Sequence, residues 1–177
     1  MNRRLPPCFG LALLCLAGVS ACVVNLSFEM DQPNVALQSP VAGTSSQSIA
    51  VDLGNSKEIT EHKDNIRSLD LDYVDVTITR VNAGNRAKLL NGTLALRRKL
   101  ADPAANDVKI GDLVNFAVTA NNTIRLQGNP ALDAFLLEQL HNGGTFYVIA
   151  NGTVDNAADM VLDLDLHASI GYDAGMF

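Results

Sequence analysis

From Leu162 to Tyr172 every second residue is apolar (Leu162, Leu164, Leu166, Ala168, Ile170, Tyr172), and each residue between them is polar or small (Asp163, Asp165, His167, Ser169, Gly171). A helix would scatter these apolar side chains around its circumference, whereas a strand places them all on one face. The run therefore predicts a long strand, wet on one side. Its dry side must be covered by a second layer, which restricts the chain to a small set of sheet-on-sheet or helix-on-sheet folds.

The rest of the chain repeats the theme. Val24, Leu26, Phe28 and Met30 alternate with Asn25, Ser27, Glu29 and Asp31, and Ile49, Val51 and Leu53 form a further run. From Ile66 to Val81 the apolar phase moves from odd positions (Leu69, Leu71, Tyr73) to even ones (Val74, Val76, Ile78), which predicts a bulge near Tyr73-Val74. Leu94 and Leu96 mark another strand, and Val114, Phe116 and Val118 another, with Ile124 and Leu126 after the Asn121-Asn122 turn in hairpin spacing. Thr145 to Val154 is apolar on both faces and reads as central. Pro40 to Ser48 and Asp102 to Asp107 read as loops, and Ser56 to Asn65, with a surface His62, as a solvated turn of helix or a loop. A flexible leader over residues 22–48 is the alternative to a first strand.

One helix is predicted over 129–142. Asn129 can cap it, Pro130 suits its first turn, Asp133 complements its positive end, Leu132, Phe135, Leu136 and Leu140 share a face, and Asn142-Gly143 stop it. Summed, the fold class is all-β to α+β: an antiparallel β-sandwich of about seven to eight strands with one amphipathic helix.

Arg3 and Arg4 precede an apolar stretch from Phe9 to Val19, then Val19-Ser20-Ala21-Cys22. A charged start and a short apolar core mark an export signal, too short to span a bilayer. Small residues directly before a cysteine resemble the lipobox cut by signal peptidase II in bacterial lipoproteins. The resemblance implies that residues 1–21 are removed, that Cys22 carries acyl chains, and that 22–177 is one lipid-anchored domain. Val23 is not the aspartate that holds enterobacterial lipoproteins at the inner membrane, so the resemblance implies an outer-membrane placement in the cell envelope. Ordinary cleavage after Ala21 is the alternative.

Net charge is −6, and loss of Arg3 and Arg4 makes the remainder more acidic, so nucleic acid is excluded as a partner by charge. Cys8 and Cys15 leave with the signal, which removes disulfides and thiol chemistry. No nucleophile-elbow, zinc-protease or phosphate-loop motif occurs, so the expectation is a non-enzyme without cofactor. Asn91-Gly92-Thr93, Asn121-Asn122-Thr123 and Asn151-Gly152-Thr153 read as turn chemistry rather than glycan acceptors. Arg97-Arg98-Lys99 reads as a solvated strand end.

Three functions remain. The first is a structural or protein-interaction module held at the membrane through Cys22, with an envelope protein as partner. The second is a carrier of an apolar ligand such as a lipid, between helix and sheet, in a pocket lined by Leu132, Phe135, Leu136 and Phe146. The third is a cation-dependent adhesion module using Asp163, Asp165 and His167 on the wet face of the last strand, completed by Asp70, Asp72 or Asp75. For these carboxylates the plain reading is a solvated face that discourages aggregation.

Overall fold

A computed structural model describes residues 23–174; the stretch expected to be an export signal and Cys22 lie outside the described residues. Eight strands run β1 (Val23–Ser39), β2 (Gly43–Asp52), β3 (Ile66–Val81), β4 (Leu89–Arg97), β5 (Val108–Ala117), β6 (Asn122–Gln127), β7 (Thr145–Val154) and β8 (Ala158–Asp173), with helices α1 (Lys57–His62) and α2 (Pro130–His141). They form two four-stranded antiparallel sheets, sheet A in the order β1-β8-β3-β6 and sheet B in the order β2-β7-β4-β5. The first strand pairs with the eighth, the second with the seventh, the third with the sixth and the fourth with the fifth. These nested pairings make one long ribbon rolled into a sandwich, the arrangement of a jelly roll.

The predicted β-sandwich with its helix over 129–142 is the fold. Asn129 caps α2 by accepting from the Ala131 and Leu132 amides at 3.0 and 3.3 Å. The phase change in β3 is a bulge: its pairing with β8 slips between Leu71 and Tyr73, leaving Asp72 extra. Around that bulge the helix is fastened. Gly128 N–H donates to the Asp72 carbonyl at 2.9 Å, and the Leu71 amide donates to Asp133 Oδ1 at 2.9 Å. Asp133 thus satisfies an amide that the bulge leaves free, while burial pushes its carboxyl above the usual carboxylate range.

Several local expectations are corrected. Within the alternative leader of 22–48, residues 23–39 and 43–48 lie in strands β1 and β2, and the loop expected over Pro40 to Ser48 shrinks to 40–42. The polar residues of β2 keep period-2 order along β7, which composition alone conceals. The Phe116/Ile124 hairpin does not form, because β5 lies in sheet B and β6 in sheet A. Asn115, at φ 50°, kinks β5, so Leu113 and Phe116 turn inward and Val114 is exposed. Asn91-Gly92 and Asn151-Gly152 are not turns. They sit mid-strand with Gly92 opposite Gly152, where a Cβ on Gly92 would lie 2.5 Å from the Asn151 carbonyl. A second helix, α1, is capped by Ser56 and buries Ile59, a core residue hidden in a polar stretch.

Topology gives the sandwich two unlike ends. The start of β1, both helices and the 98–107 loop gather at one end, and the turns 40–42, 82–88, 118–121 and 155–157 at the other. The turn end is tightly bonded. Asp155 accepts from the Lys88 and Leu89 amides, Asn82 Nδ2 donates to Asp159 Oδ1 at 2.8 Å, and the Arg86 and Ala87 amides both donate to the Ala157 carbonyl.

Candidate functional site

The outward face of sheet A carries the polar residues singled out in the sequence. Because β8 lies between β1 and β3, its alternating side chains meet a neighbour on each side. Asp165 stands between Asp31 and Asp75, and His167 between Glu29 and Tyr73. Arg125 on β6 grips Asp75 with two hydrogen bonds of 2.8 and 2.7 Å, and its guanidinium lies 3.5 Å from the Tyr73 ring centroid. Tyr73 stacks on His167 at 4.2 Å, and His167 Nδ1 lies 3.0 Å from Glu29 Oε1. Asp163 accepts the Asn34 amide at 2.8 Å, holding the β1 bulge.

Asp163, Asp165 and His167 therefore share a face without converging. Strand spacing separates them by about 7 Å at each step, and two of the three have partners elsewhere. Asp70 lies across from Ser169, Asp72 is on the bulge, and Asp75 is held by Arg125. Among the described residues no group of three His, Cys, Asp or Glu side chains is arranged to hold a metal ion. The electrostatics are those of a packed polar sheet. The Arg125 hydrogen bonds hold Asp75 below the usual carboxylate range, and burial, aided by Asp31 and Asp163, pushes Asp165 above it.

That shift fixes a pH dependence. A carboxyl raised in the folded state binds its proton more tightly folded than unfolded, so its contribution to stability falls as pH rises through the carboxylate range. Asp165→Asn should raise stability at pH 7 by about 0.5–1 kcal/mol, the scale of a relieved like-charge pair across strands. The gain should vanish in acid, where Asp165 is protonated. Urea titrations of both proteins at pH 7 and pH 3 measure this.

Leu132, Phe135, Leu136 and Phe146 come together, but as solid core. All are at most 2% exposed, and Phe135 meets Phe146 edge-on at 5.8 Å between centroids. An apolar opening lies elsewhere, between the sheets beside β1 and β2. It is a slot of about 40 Å³ whose walls include Val35 and Leu37 of β1, Ile49 of β2, and Leu90 and Leu94 of β4. Gly152 also lines it, and Ser45 and Gln47 stand at its side where larger apolar residues would otherwise fill the space. Val35 and Ile49 are half-buried, so this seam of the sandwich is unfinished. Sequence reading missed it, because a slot between strands distant in sequence leaves no local pattern.

Arg97 and Arg98 of the basic run are paired. Arg97 makes a two-pronged bond to Asp107, and Arg98 pairs with Glu138 while lying 5.4 Å from the Phe135 centroid. His62 stacks on Tyr172 at 3.8 Å.

No family model and no curated protein matches this chain. Among solved structures it is similar to a chain of Desmodium yellow mottle tymovirus (11% identity, all of this chain and 98% of that one, TM-score 0.40). It is also similar to decameric BFDV capsid protein (10% identity, 84% of this chain and 99% of that one, TM-score 0.44) and to a chain of turnip yellow mosaic virus (10% identity, 89% and 98%, TM-score 0.33). Likeness of this degree carries no argument about what the chain does.

Proposed function

We propose that this chain is a bacterial envelope lipoprotein, a non-enzymatic interaction module held at the outer membrane by acyl chains on Cys22. The observation that carries the reading is the Val19-Ser20-Ala21-Cys22 box at the end of an export signal, followed at once by β1. With strand beginning at Val23, the helical end would sit near the lipid and the bonded turns would face away from it. Each buried methylene contributes about 0.8 kcal/mol, so two or three acyl chains hold the chain durably and one does not.

Cys22→Ser tests this. The variant should incorporate no labelled palmitate, retain its signal segment or be cut elsewhere, and leave the outer-membrane fraction. If it matures normally and stays with that fraction, the anchor is elsewhere. A carrier of an apolar ligand is the weaker reading, since a slot of about 40 Å³ falls well short of the roughly 300 Å³ of small-molecule pockets. The cation-dependent reading is weaker still, because the carboxylates of sheet A stay separate. Calcium at millimolar excess should leave the melting temperature unchanged.

A further inference from the structure

A sandwich has four edge strands, and three of these are guarded. β1 breaks its pairing between Gln32 and Val35, carries Pro33 and a left-handed Asn34 at φ 62°, and presents Glu29 and Asp31. β5 carries Lys109 and Asp112 and is kinked at Asn115. β6 has 6 residues and includes Arg125. Bulges, charges and shortness are the devices by which proteins keep edges from accepting foreign strands.

Between its end residues, Gly43 and Asp52, β2 has none of them. Thr44 to Val51 contains no charge, no proline and no glycine, and its pairing with β7 runs without a slip. In a chain of net charge −6, this edge is the place where another strand can approach without meeting a charge. The direction of its hydrogen bonds follows from its end. Leu53 N–H donates to the Gly144 carbonyl at 2.9 Å, one step beyond Asp52–Thr145 in the same register. Bonding alternates along an antiparallel strand, so the odd residues are turned to β7 and the amides of Thr44, Ser46, Ser48 and Ala50 point out from the sheet. The side chains alternate the other way, with Ser45, Gln47 and Ile49 lining the apolar slot. Unused backbone groups and half-covered apolar walls thus meet at one seam.

We infer that the β2 edge takes up an extended, uncharged segment of another polypeptide as a fifth strand of sheet B, with apolar side chains at alternate positions entering the slot beside Val35, Leu37 and Ile49. This deepens the interaction reading and rests on the anchor for one point, the exclusion of a second copy. Two copies pairing β2 antiparallel about a twofold axis would carry their Val23 ends to opposite ends of the joined sheet, which two copies held by Cys22 in one bilayer cannot do.

The probe is a fluorescein-labelled peptide of about ten residues, the length of β2, alternating valine and threonine and closed by two glutamines. Its control has the same composition with the valines consecutive. With the detergent-solubilised full chain, anisotropy should give saturable binding by the alternating peptide and at least tenfold weaker binding by the control. Hydrogen exchange at Thr44, Ser46, Ser48 and Ala50 should slow at least tenfold on binding. Ser48→Pro removes an outward amide and leaves the β7 ladder intact, as proline on an edge allows. It should weaken binding at least tenfold with the melting transition retained. Absence of saturable binding, equal binding by the control, exchange slowed elsewhere than β2, or sedimentation showing a β2-dependent dimer would each overturn the proposal. None of these results bears on palmitate incorporation at Cys22, so failure of the edge and failure of the anchor are told apart.

Discussion

Gly128→Ala should destabilise the fold by about 3–5 kcal/mol, at the upper end for a single substitution that adds one methyl group. The chain leaves β6 at Gly128 and turns into α2 directly against the β3 bulge. A Cβ there would lie 1.5 Å from the Leu71 carbonyl oxygen and 2.6 Å from its carbon. Both atoms are backbone, so no rotamer change relieves the clash. The connection must move away from β3, which breaks the Gly128–Asp72 bond and shifts Asp133 from the Leu71 amide. Gly84→Ala is the control, since its nearest neighbour would be Asp159 Oδ2 at 3.6 Å, an ordinary contact. It should stay within about 0.5 kcal/mol of wild type. Urea midpoints of the two variants measure the difference, and a Gly128→Ala loss below about 1 kcal/mol would mean that the helix is not seated on the bulge.

Phe146→Ala should cost about 3–5 kcal/mol, the usual range for emptying a buried aromatic site. Phe146 is 0% exposed and lies under α2, where Phe135 meets it edge-on. The loss combines lost burial with a cavity that a helix pinned at Asn129 and Asp133 cannot close. Phe135→Ala alone should cost a similar amount, and the double variant less than the sum by about 0.5–1.5 kcal/mol, the coupling of an aromatic pair. Strict additivity would show that the two rings act apart.

The parts of the fold that were legible in the sequence are those governed by local chemistry. Alternation exposed β1, β3 and β8, the phase change exposed the bulge by Asp72, and Asn129-Pro130 with the Leu/Phe face exposed α2. Pairing was not legible. Strands close in sequence look like hairpins whenever a turn separates them, yet β5 and β6 belong to different sheets, because nested pairing sends every pair of neighbours in sequence except β4 and β5 to opposite layers. Gly92 and Gly152 were misread for a related reason. Asn-Gly favours a tight turn locally, but here the two glycines face one another so that β4 and β7 can approach. The candidate site divides in the same way. Strand periodicity placed Asp163, Asp165 and His167 on one face, whereas their separate engagements with Asn34, Glu29 and Tyr73 depend on which strands flank β8. The slot and the bare edge of β2 need both sheets to exist before they can be seen.

The pairing of Val23 with Asp173 settles how the molecule carries force. Tension applied between its two termini would peel β1 from β8 one rung at a time, the geometry of a zipper, which yields at low load. Tension between the start of β1 and a segment held by β2 and drawn toward the turn end would pull β1 lengthwise against β8, so that the rungs of the β1/β8 ladder bear load together. Held at its first residues and pulled at that seam, the sandwich would resist in shear, the stronger of its two directions.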